Sequence, residues 1–324
     1  MLSSYESGFL YPEKYKYISS KRETIKDLYE KLYTQNPGIA RHFIYQEGTH
    51  IQGHMAMLRS YEDSWLLHHH AASTSHSQNA GLHVLNQVGS FGNNCHRIKS
   101  LHMVYLMCYY REENKFPRRV FGDLARKINN PGHCSLDNWA YLHYYRDVLI
   151  PSPLPEGWDL EKTTNGELKD LECFYRNHSN GLLLKALNLS GGSHSNPDLL
   201  KEYSRSGFNR KIELFTMKKD GEPRGIIMAD LSEAGLNMSD LTNSFKLFIM
   251  DPEEMTEVII NSFLNRVSEI FGEENRIPVL VYPEDTAMKL NMPVEKSYTL
   301  WVINMEASDT YFKYLKTLLK FIHH

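Results

Sequence analysis

Histidine is concentrated in the first part of this chain of 324 residues. Twelve of its 16 histidines precede residue 150. These are His42, His50, His54, His68, His69, His70, His76, His83, His96, His102, His133 and His143. Imidazole titrates near neutral pH, so histidine is well suited to exchange protons in catalysis. The segments that carry His54 and the run 68–70 are therefore the first candidates for catalytic chemistry.

These histidines lie on two segments that favour a β-hairpin. Residues 51–59 and 65–72 are β-rich and flank a turn at Glu62. A turn centred on Glu62 would place His54 opposite His70 and Ala56 opposite His68. Because side chains alternate between the faces of a sheet, we expect His54, His68 and His70 to share a face.

Three interpretations of this cluster remain open. In the first, His69 or His70 acts, through water, as a general base on an amine or hydroxyl acceptor. In the second, His54 and His70, with His68, bind a metal, which requires convergent geometry and residues that orient the ligands. In the third, the histidines are half-buried strand residues with no chemical role.

Composition narrows the class of protein. Hydrophobic residues make up 41% and charged residues 23%, which is typical of globular proteins. The net charge of -3 gives no reason to expect a nucleic-acid partner. No apolar run reaches the roughly 18 residues of a membrane span, so we expect no integral membrane association. The N-terminal residues lack the apolar core of a secretory signal.

The four cysteines carry no CxxC spacing. They are Cys95, Cys108, Cys134 and Cys173. This spacing disfavours a zinc ribbon or a disulfide framework and favours reduced thiols in the cytoplasm. Cys108 lies on an apolar strand, where an inert core thiol is the alternative to an acyl-carrying nucleophile.

The length favours two domains of similar size. Residues 150–157 contain three prolines at alternate positions and a glycine, which can extend neither a helix nor a central strand. We place the boundary there, giving domains at 1–150 and 151–324.

The second half has clear helix and strand patterns. We predict helices over 172–189 and 198–206, strands over 211–217, 224–231 and 244–250, a helix from Asp251 to Gly272, a strand over 277–282, a helix over 284–290 and a strand over 297–304. For the long helix, Asp251 is the expected cap, Pro252 the first helical residue and Glu254 part of a capping box.

The first half repeats this order in weaker form. We predict a helix over 22–34, strands over 41–45, 51–59 and 65–72, a helix from Gly81, a strand over 103–110 and a helix over 119–128. The two halves therefore indicate a divergent tandem repeat, each half an α/β domain with a mixed, mostly antiparallel sheet flanked by helices.

This order of elements resembles that of the GNAT (N-acetyltransferase-like) superfamily. Ala287-Met288-Lys289-Leu290-Asn291-Met292, followed by Tyr298-Thr299-Leu300-Trp301, is similar to the family's closing pattern, with Asn291 in place of glycine. The resemblance covers most of residues 165–304 and, less completely, residues 20–145. It implies acyl transfer from acetyl-CoA or a longer acyl-CoA.

The resemblance also implies a cofactor loop in the first half. GNAT enzymes bind the CoA pyrophosphate with backbone N–H groups between the third strand and the long helix, where a helix N-terminus favours an anion. Gln78-Asn79-Ala80-Gly81-Leu82-His83 falls at this place and keeps the family's glutamine and first glycine. Members of the family often use a tyrosine to reprotonate the thiolate, for which Tyr110 is the candidate. The alternative is a polar loop with no ligand.

The corresponding loop of the second half is unsuited to a phosphate. Asp251, Glu253 and Glu254 supply negative charge, and Pro252 lacks an N–H group. We therefore expect a cofactor in the first half alone.

Three functions follow from this resemblance. The first is an acyl-CoA-dependent N-acyltransferase that acts on a small amine acceptor. The alternative is a non-catalytic GNAT-like module that binds a metabolite or a protein. A third, tRNA-dependent aminoacyl transfer, would require a basic surface, which the overall acidity disfavours.

Overall fold

The computed structural model describes residues 19, 21–35, 38–73, 79–147, 153–191, 197–233, 236–238 and 240–320. The boundary predicted at 150/151 lies outside the described residues.

Eleven strands of the described part form one sheet in the order β1-β2-β3-β4-β11-β5-β10-β9-β8-β7-β6. The strands are β1 (Ala40–Glu47), β2 (His50–Tyr61), β3 (Ser64–Ala72), β4 (Tyr105–Tyr110), β5 (Cys134–Tyr145), β6 (Trp158–Lys162), β7 (Arg210–Lys219), β8 (Glu222–Ser232), β9 (Ser244–Ile249), β10 (Arg276–Tyr282) and β11 (Lys296–Asn304).

Helices cover both faces of the sheet. They are α1 (Arg22–Glu30), α2 (Ala80–Cys95), α3 (Asp123–Ile128), α4 (Asn165–His178), α5 (Leu183–Ala186), α6 (Pro197–Arg205), α7 (Glu257–Ser268), α8 (Glu284–Lys289) and α9 (Ser308–Lys320). One turn of π-helix (Lys31–Gln35) continues α1.

The sheet contains an internal repeat. In the first half, β1–β2 and β2–β3 are antiparallel and β3–β4 is parallel. In the second half, β7–β8 and β8–β9 are antiparallel and β9–β10 is parallel. The predicted α/β class, the mostly antiparallel sheet flanked by helices and the repeated order of strands in the two halves are therefore confirmed.

The closing strands of the two halves are exchanged. β11, the last strand of the second half, pairs with β4 of the first half, whereas β5 pairs with β10 of the second. β5 and β11 also pair with each other, antiparallel, at the centre of the sheet. The two halves therefore share one continuous sheet.

The core lies in layers on the two faces. Trp301 of β11 points to the face covered by α2 and α9, where it packs among buried apolar residues. Leu300 points to the opposite face, toward α4 and α5. A third cluster packs under α7, and a smaller one joins α1 to α6. This alternation is what the pleat of a strand requires.

A buried ion cluster joins the ends of β2 and β8. Asp230, fully buried, lies 2.7 Å from Arg210 Nη1 and from Lys246 Nζ. The Tyr61 hydroxyl of the first half donates to Asp230 Oδ2 over 2.7 Å. Arg210 also donates to the Ser60 carbonyl oxygen. One carboxylate thus faces two basic side chains, and the hydrogen bonds of Tyr61 and Ser60 join this cluster to the first half. Sequence patterns did not reveal it.

One predicted helix start is wrong. α7 begins at Glu257, and its cap is Thr256, whose hydroxyl accepts from the Ile259 N–H. Asp251 instead accepts from the Glu253 N–H and pairs with Arg224, so it closes a separate turn. Glu254, with φ of 60°, is not helical and forms no capping box.

The helix predicted over 172–189 is two helices, α4 and α5, which residues 179–182 separate. The hairpin turn at 219–222 is confirmed, since Asp220 and Gly221 both have positive φ. β5, β6 and α9 were not predicted. The described residues contain no helix long and apolar enough to cross a membrane.

Candidate active site

The parallel strands β3 and β4 separate near their carboxyl ends. Their ladder runs from Ser64 opposite Tyr105 to Leu67 opposite Cys108, where it ends among the described residues. β3 continues to Ala72, whereas the last residues of β4 pair with β11 on the other side. The two strand ends therefore border a wedge, which we call the β3–β4 wedge.

The N-terminus of α2 follows β3 at this wedge. α2 begins at Ala80, with Asn79 before it and no side-chain cap, and Ala80, Gly81 and Leu82 are buried. His83, half-buried, stacks on Tyr45 with the ring centroids 4.8 Å apart. Gln78 lies outside the described residues. The described part of the predicted loop thus forms the start of a helix of 16 residues, a favourable place for an anion.

An aromatic pair covers Gly81. The His70 ring stacks on Phe116, with centroids 5.0 Å apart, and His70 Nε2 lies 3.3 Å from the Gly81 carbonyl oxygen. A Cβ on Gly81 would meet His70 Cε1 at 3.1 Å and Phe116 Cζ at 3.3 Å. Glycine is therefore the residue that this close approach accommodates without displacing a ring.

The predicted register of the histidine strands is partly wrong. Ala56 lies opposite His68, as predicted, but His54 lies opposite Ala71 because β3 carries a bulge between these pairs. His69 in this bulge has φ of 54°. The bulge turns His70 toward α2, so His70 does not share a face with His54 and His68.

His69 is held by two other segments. Its Nε2 accepts a hydrogen bond of 2.9 Å from the Met238 N–H, and the Tyr29 hydroxyl lies 3.4 Å away from each ring nitrogen. The Nε2 lone pair is therefore already used, which leaves the proton on Nδ1. In this arrangement His69 orients the bulge against α1 and the 236–238 segment.

A cluster of aromatic residues lies on the α1 side of the sheet. We call Tyr29, Tyr33, His42, His54 and His68 the α1-side cluster. His42 Nε2 is 3.3 Å from His54 Nδ1, and the Tyr33 and His42 rings are 4.9 Å apart. Burial lowers the pKa of His54 to about 4 and that of His68 to about 3. These imidazoles are therefore neutral at pH 7.

The metal interpretation does not fit this geometry. Among the described residues, no three histidine, cysteine, aspartate or glutamate side chains converge as metal ligands. The bulge separates His70 from His54 and His68, which the predicted site would have used.

Tyr110 and Cys108 lie on the α2 side of β4. The Tyr110 hydroxyl donates to Glu112 Oε1 over 2.7 Å, and burial together with this carboxylate raises the pKa of Tyr110. Burial raises the pKa of the Cys108 thiol to about 12, so it is protonated at pH 7. Tyr110 and His70 thus both face α2, from β4 and β3 respectively.

The second half has no comparable wedge among the described residues. The β9–β10 ladder runs from Phe245 opposite Val279 to Phe248 opposite Tyr282, one residue before β9 ends and at the last residue of β10. Asp251 then pairs with Arg224 in the loop before α7.

A buried carboxylate on β5 escaped the sequence analysis. Asp137, 2% exposed, accepts hydrogen bonds from Tyr175, Ser179, Ser135 and, over 3.4 Å, Tyr282. Burial raises its pKa to about 6, against the opposing effect of these donors. The donors come from α4 and its C-terminal cap residue, from β5 itself and from β10, so no single local pattern indicates the cluster.

Comparison with known proteins returns structures alone. No protein-family model and no curated protein matches the chain. A Drosophila protein is 10% identical over 88% of this chain and 87% of its own, with a TM-score of 0.46. A tandem GNAT protein from the clavulanic acid pathway is 10% identical over 86% and 87%, with a TM-score of 0.39. A GCN5-related N-acetyltransferase from Sphaerobacter thermophilus is 11% identical over 86% and 85%, with a TM-score of 0.42.

Proposed function

We propose that the chain is an acyl-CoA-dependent N-acyltransferase that acts on a small amine acceptor. The observation that carries this proposal is the β3–β4 wedge with the N-terminus of α2 beside it. Such a wedge offers unpaired strand edges to an extended ligand, while the helix start favours a phosphate. In the described part of the second half there is neither a comparable wedge nor a phosphate-compatible loop, which supports one site per chain.

The residues at the start of α2 fit an acyl-CoA. Gly81 has no side chain to shield the backbone at the helix start, and a Cβ there would press on the His70 and Phe116 rings. The Asn79 side-chain oxygen is buried with no hydrogen-bond partner among the described residues, and an amide N–H of a pantetheine arm would satisfy it. Gln78, Asn79, Ala80, Gly81, Leu82 and His83 are therefore the proposed binding residues for acetyl-CoA or a longer acyl-CoA. When bound, the acyl-CoA would supply the thioester carbonyl that the amine attacks.

His70 is the proposed general base. Because Nε2 donates to the Gly81 carbonyl oxygen, the lone pair of the neutral ring lies on Nδ1. Burial lowers its pKa to about 4, so this lone pair is available at pH 7. Through water, Nδ1 takes the proton that the amine loses as the amide bond forms. His69 positions the bulge that carries His70, and Tyr110 is the proposed proton donor to the departing thiolate.

Calorimetric titration of acetyl-CoA and octanoyl-CoA into the protein tests this proposal. Gly81→Glu places a carboxylate and a bulky side chain at the start of α2, so saturable binding should disappear. Gly166→Glu is the matched control, because Gly166 lies in the first turn of α4 and a Cβ there meets Thr164 Oγ1 at an ordinary 3.6 Å. Binding that both variants retain, or no binding by the unmodified protein, contradicts the proposal.

One observation favours the alternative of a non-catalytic binding module. Phe116 and His70 already pack on Gly81, where the cofactor would approach. A module of this kind retains the fold without turnover. Acyl-CoA binding without amide formation on any of a panel of primary amines would support this function instead.

A further inference from the structure

We propose that the α1-side cluster binds the amino group of the acceptor, which is a primary amine on an apolar body. This inference rests on the proposed function, because it assigns the second substrate of the same site. The cluster adjoins the β3–β4 wedge: His68 follows Leu67, the last residue of β3 in the parallel ladder.

The cluster is assembled from α1, the π-helical turn that continues it and the strands β1, β2 and β3. Tyr29 and Tyr33 come from α1 and the π-helical turn, with their rings 5.8 Å apart. His42, His54 and His68 come from β1, β2 and β3 in turn, with the His42 and His54 rings 5.3 Å apart. Because His42 is exposed whereas His68 is 8% exposed, the cluster extends from the surface to the buried end of the wedge.

Three buried polar atoms in this cluster lack hydrogen-bond partners among the described residues. They are the Tyr33 hydroxyl and both ring nitrogens of His68. Most buried polar side-chain atoms in folded proteins are hydrogen-bonded, so a group of three without partners indicates a binding partner. The ring that carries the two unpartnered His68 nitrogens packs on the His69 ring, with the two ring centroids 4.0 Å apart.

The available atoms suit a group that both donates and accepts hydrogen bonds. The neutral imidazole of His68 presents one lone pair and one N–H, and the Tyr33 hydroxyl presents lone pairs and one O–H, so together they can accept the N–H groups of an amine and donate to its nitrogen. The faces of the tyrosine rings attract a cation. Desolvation lowers the pKa of His42, His54 and His68, so these rings do not repel an ammonium group at neutral pH. A carboxylate would find hydrogen-bond donors there but no positive charge from these neutral rings to compensate its burial.

The test titrates benzylamine and n-butylamine into the full-length protein, with benzoate as the anionic control. We expect saturable binding of at least one amine and none of benzoate. His68→Leu should weaken amine binding at least tenfold, and Tyr33→Phe, which keeps the ring, about threefold. His133→Asn, at an exposed turn outside the cluster, should leave binding unchanged.

The outcomes separate this inference from the proposed function. Absence of amine binding, or equal binding by His68→Leu, Tyr33→Phe and His133→Asn, overturns the inference even where acyl-CoA still binds. Amine binding that depends on His68 and Tyr33, in a protein that binds no acyl-CoA, supports the cluster and contradicts the acyltransferase proposal. If His68→Leu fails to fold, Tyr33→Phe decides.

Discussion

Leu67 of β3 lies opposite Cys108 of β4, and this is the last pair of the parallel ladder in the first half. The equivalent last pair of the second half, Phe248 and Tyr282, lies at the carboxyl ends of both strands. Two halves with the same strand order thus differ where a ligand would enter. The difference follows from the length of β3, which extends to Ala72 beyond the ladder.

Replacing Phe116 tests whether its ring covers the helix start. Phe116→Ala removes the ring that stacks on His70 beside Gly81, so we expect acetyl-CoA affinity to rise about tenfold, equivalent to ~1.4 kcal/mol. Calorimetric titration measures the change. Phe174→Ala, which removes a ring stacked on His178 in the second half, is the matched control and should have no effect. Weaker binding by Phe116→Ala would instead make Phe116 a ligand contact.

The element order was predictable because hydrophobic periodicity and turn residues are local signals. Asp220 and Gly221 marked their hairpin turn without knowledge of the rest of the chain. The start of α7 was misplaced because Asp-Pro-Glu-Glu matches a capping pattern, whereas Arg224 holds Asp251 in another turn. That ion pair spans 27 residues and leaves no local pattern.

The site was less predictable than the fold. The order of the predicted elements placed Gly81 at the start of a helix that follows a strand. The structure confirms this location, since Gly81 is the second residue of α2. The bulge at His69 shifted the register by one residue, so His70 faces α2 whereas His68 faces the α1 side of the sheet. The exchange of β5 and β11 depends on long-range pairing, so single-sequence patterns could not indicate it.

Strand exchange predicts that neither half folds alone. A fragment of residues 19–147 would expose the edge of β4 that β11 covers, and a fragment of 153–320 would lack β5 between β10 and β11. We expect each fragment to lack a cooperative unfolding transition, and the two coexpressed fragments to associate. Circular dichroism with size-exclusion chromatography measures both. Cooperative unfolding of either fragment alone would contradict this expectation.

Removing the charge of Asp230 should strongly destabilise the protein. Asp230→Asn leaves Arg210 and Lys246 buried without a carboxylate, and breaking a buried ion pair typically costs about 3–5 kcal/mol. Urea unfolding measures the free energy. Asp251→Asn, which breaks a partly exposed pair with Arg224, is the matched control and should cost less than about 1 kcal/mol. Similar losses in both variants would show that burial of the cluster does not determine its contribution.

Three buried histidines predict that acid destabilises the fold between pH 6.5 and about pH 4. Desolvation lowers the pKa from 6.5 to about 4 for His54 and His70 and to about 3 for His68. The unfolded chain therefore binds these protons first, and stability falls as the pH decreases. Each group costs ~1.4 kcal/mol per pH unit within this window.

Asp137 opposes this effect, because burial raises its pKa from 3.8 to about 6 and the folded chain then binds its proton first. These three histidines and one carboxyl together give a net loss of ~2.7 kcal/mol per pH unit near pH 5, and His42 and His143, whose pKa burial also lowers, act in the same direction as the three histidines. Urea unfolding at pH 7, 6 and 5 measures the slope. Since His68→Leu removes one titrating group, its slope near pH 5 should be smaller by ~1.4 kcal/mol per pH unit, whereas His133→Asn should keep the original slope. An unchanged slope in His68→Leu would mean that His68 has the same pKa in the folded and the unfolded chain, which would contradict its burial as a desolvated, neutral ring.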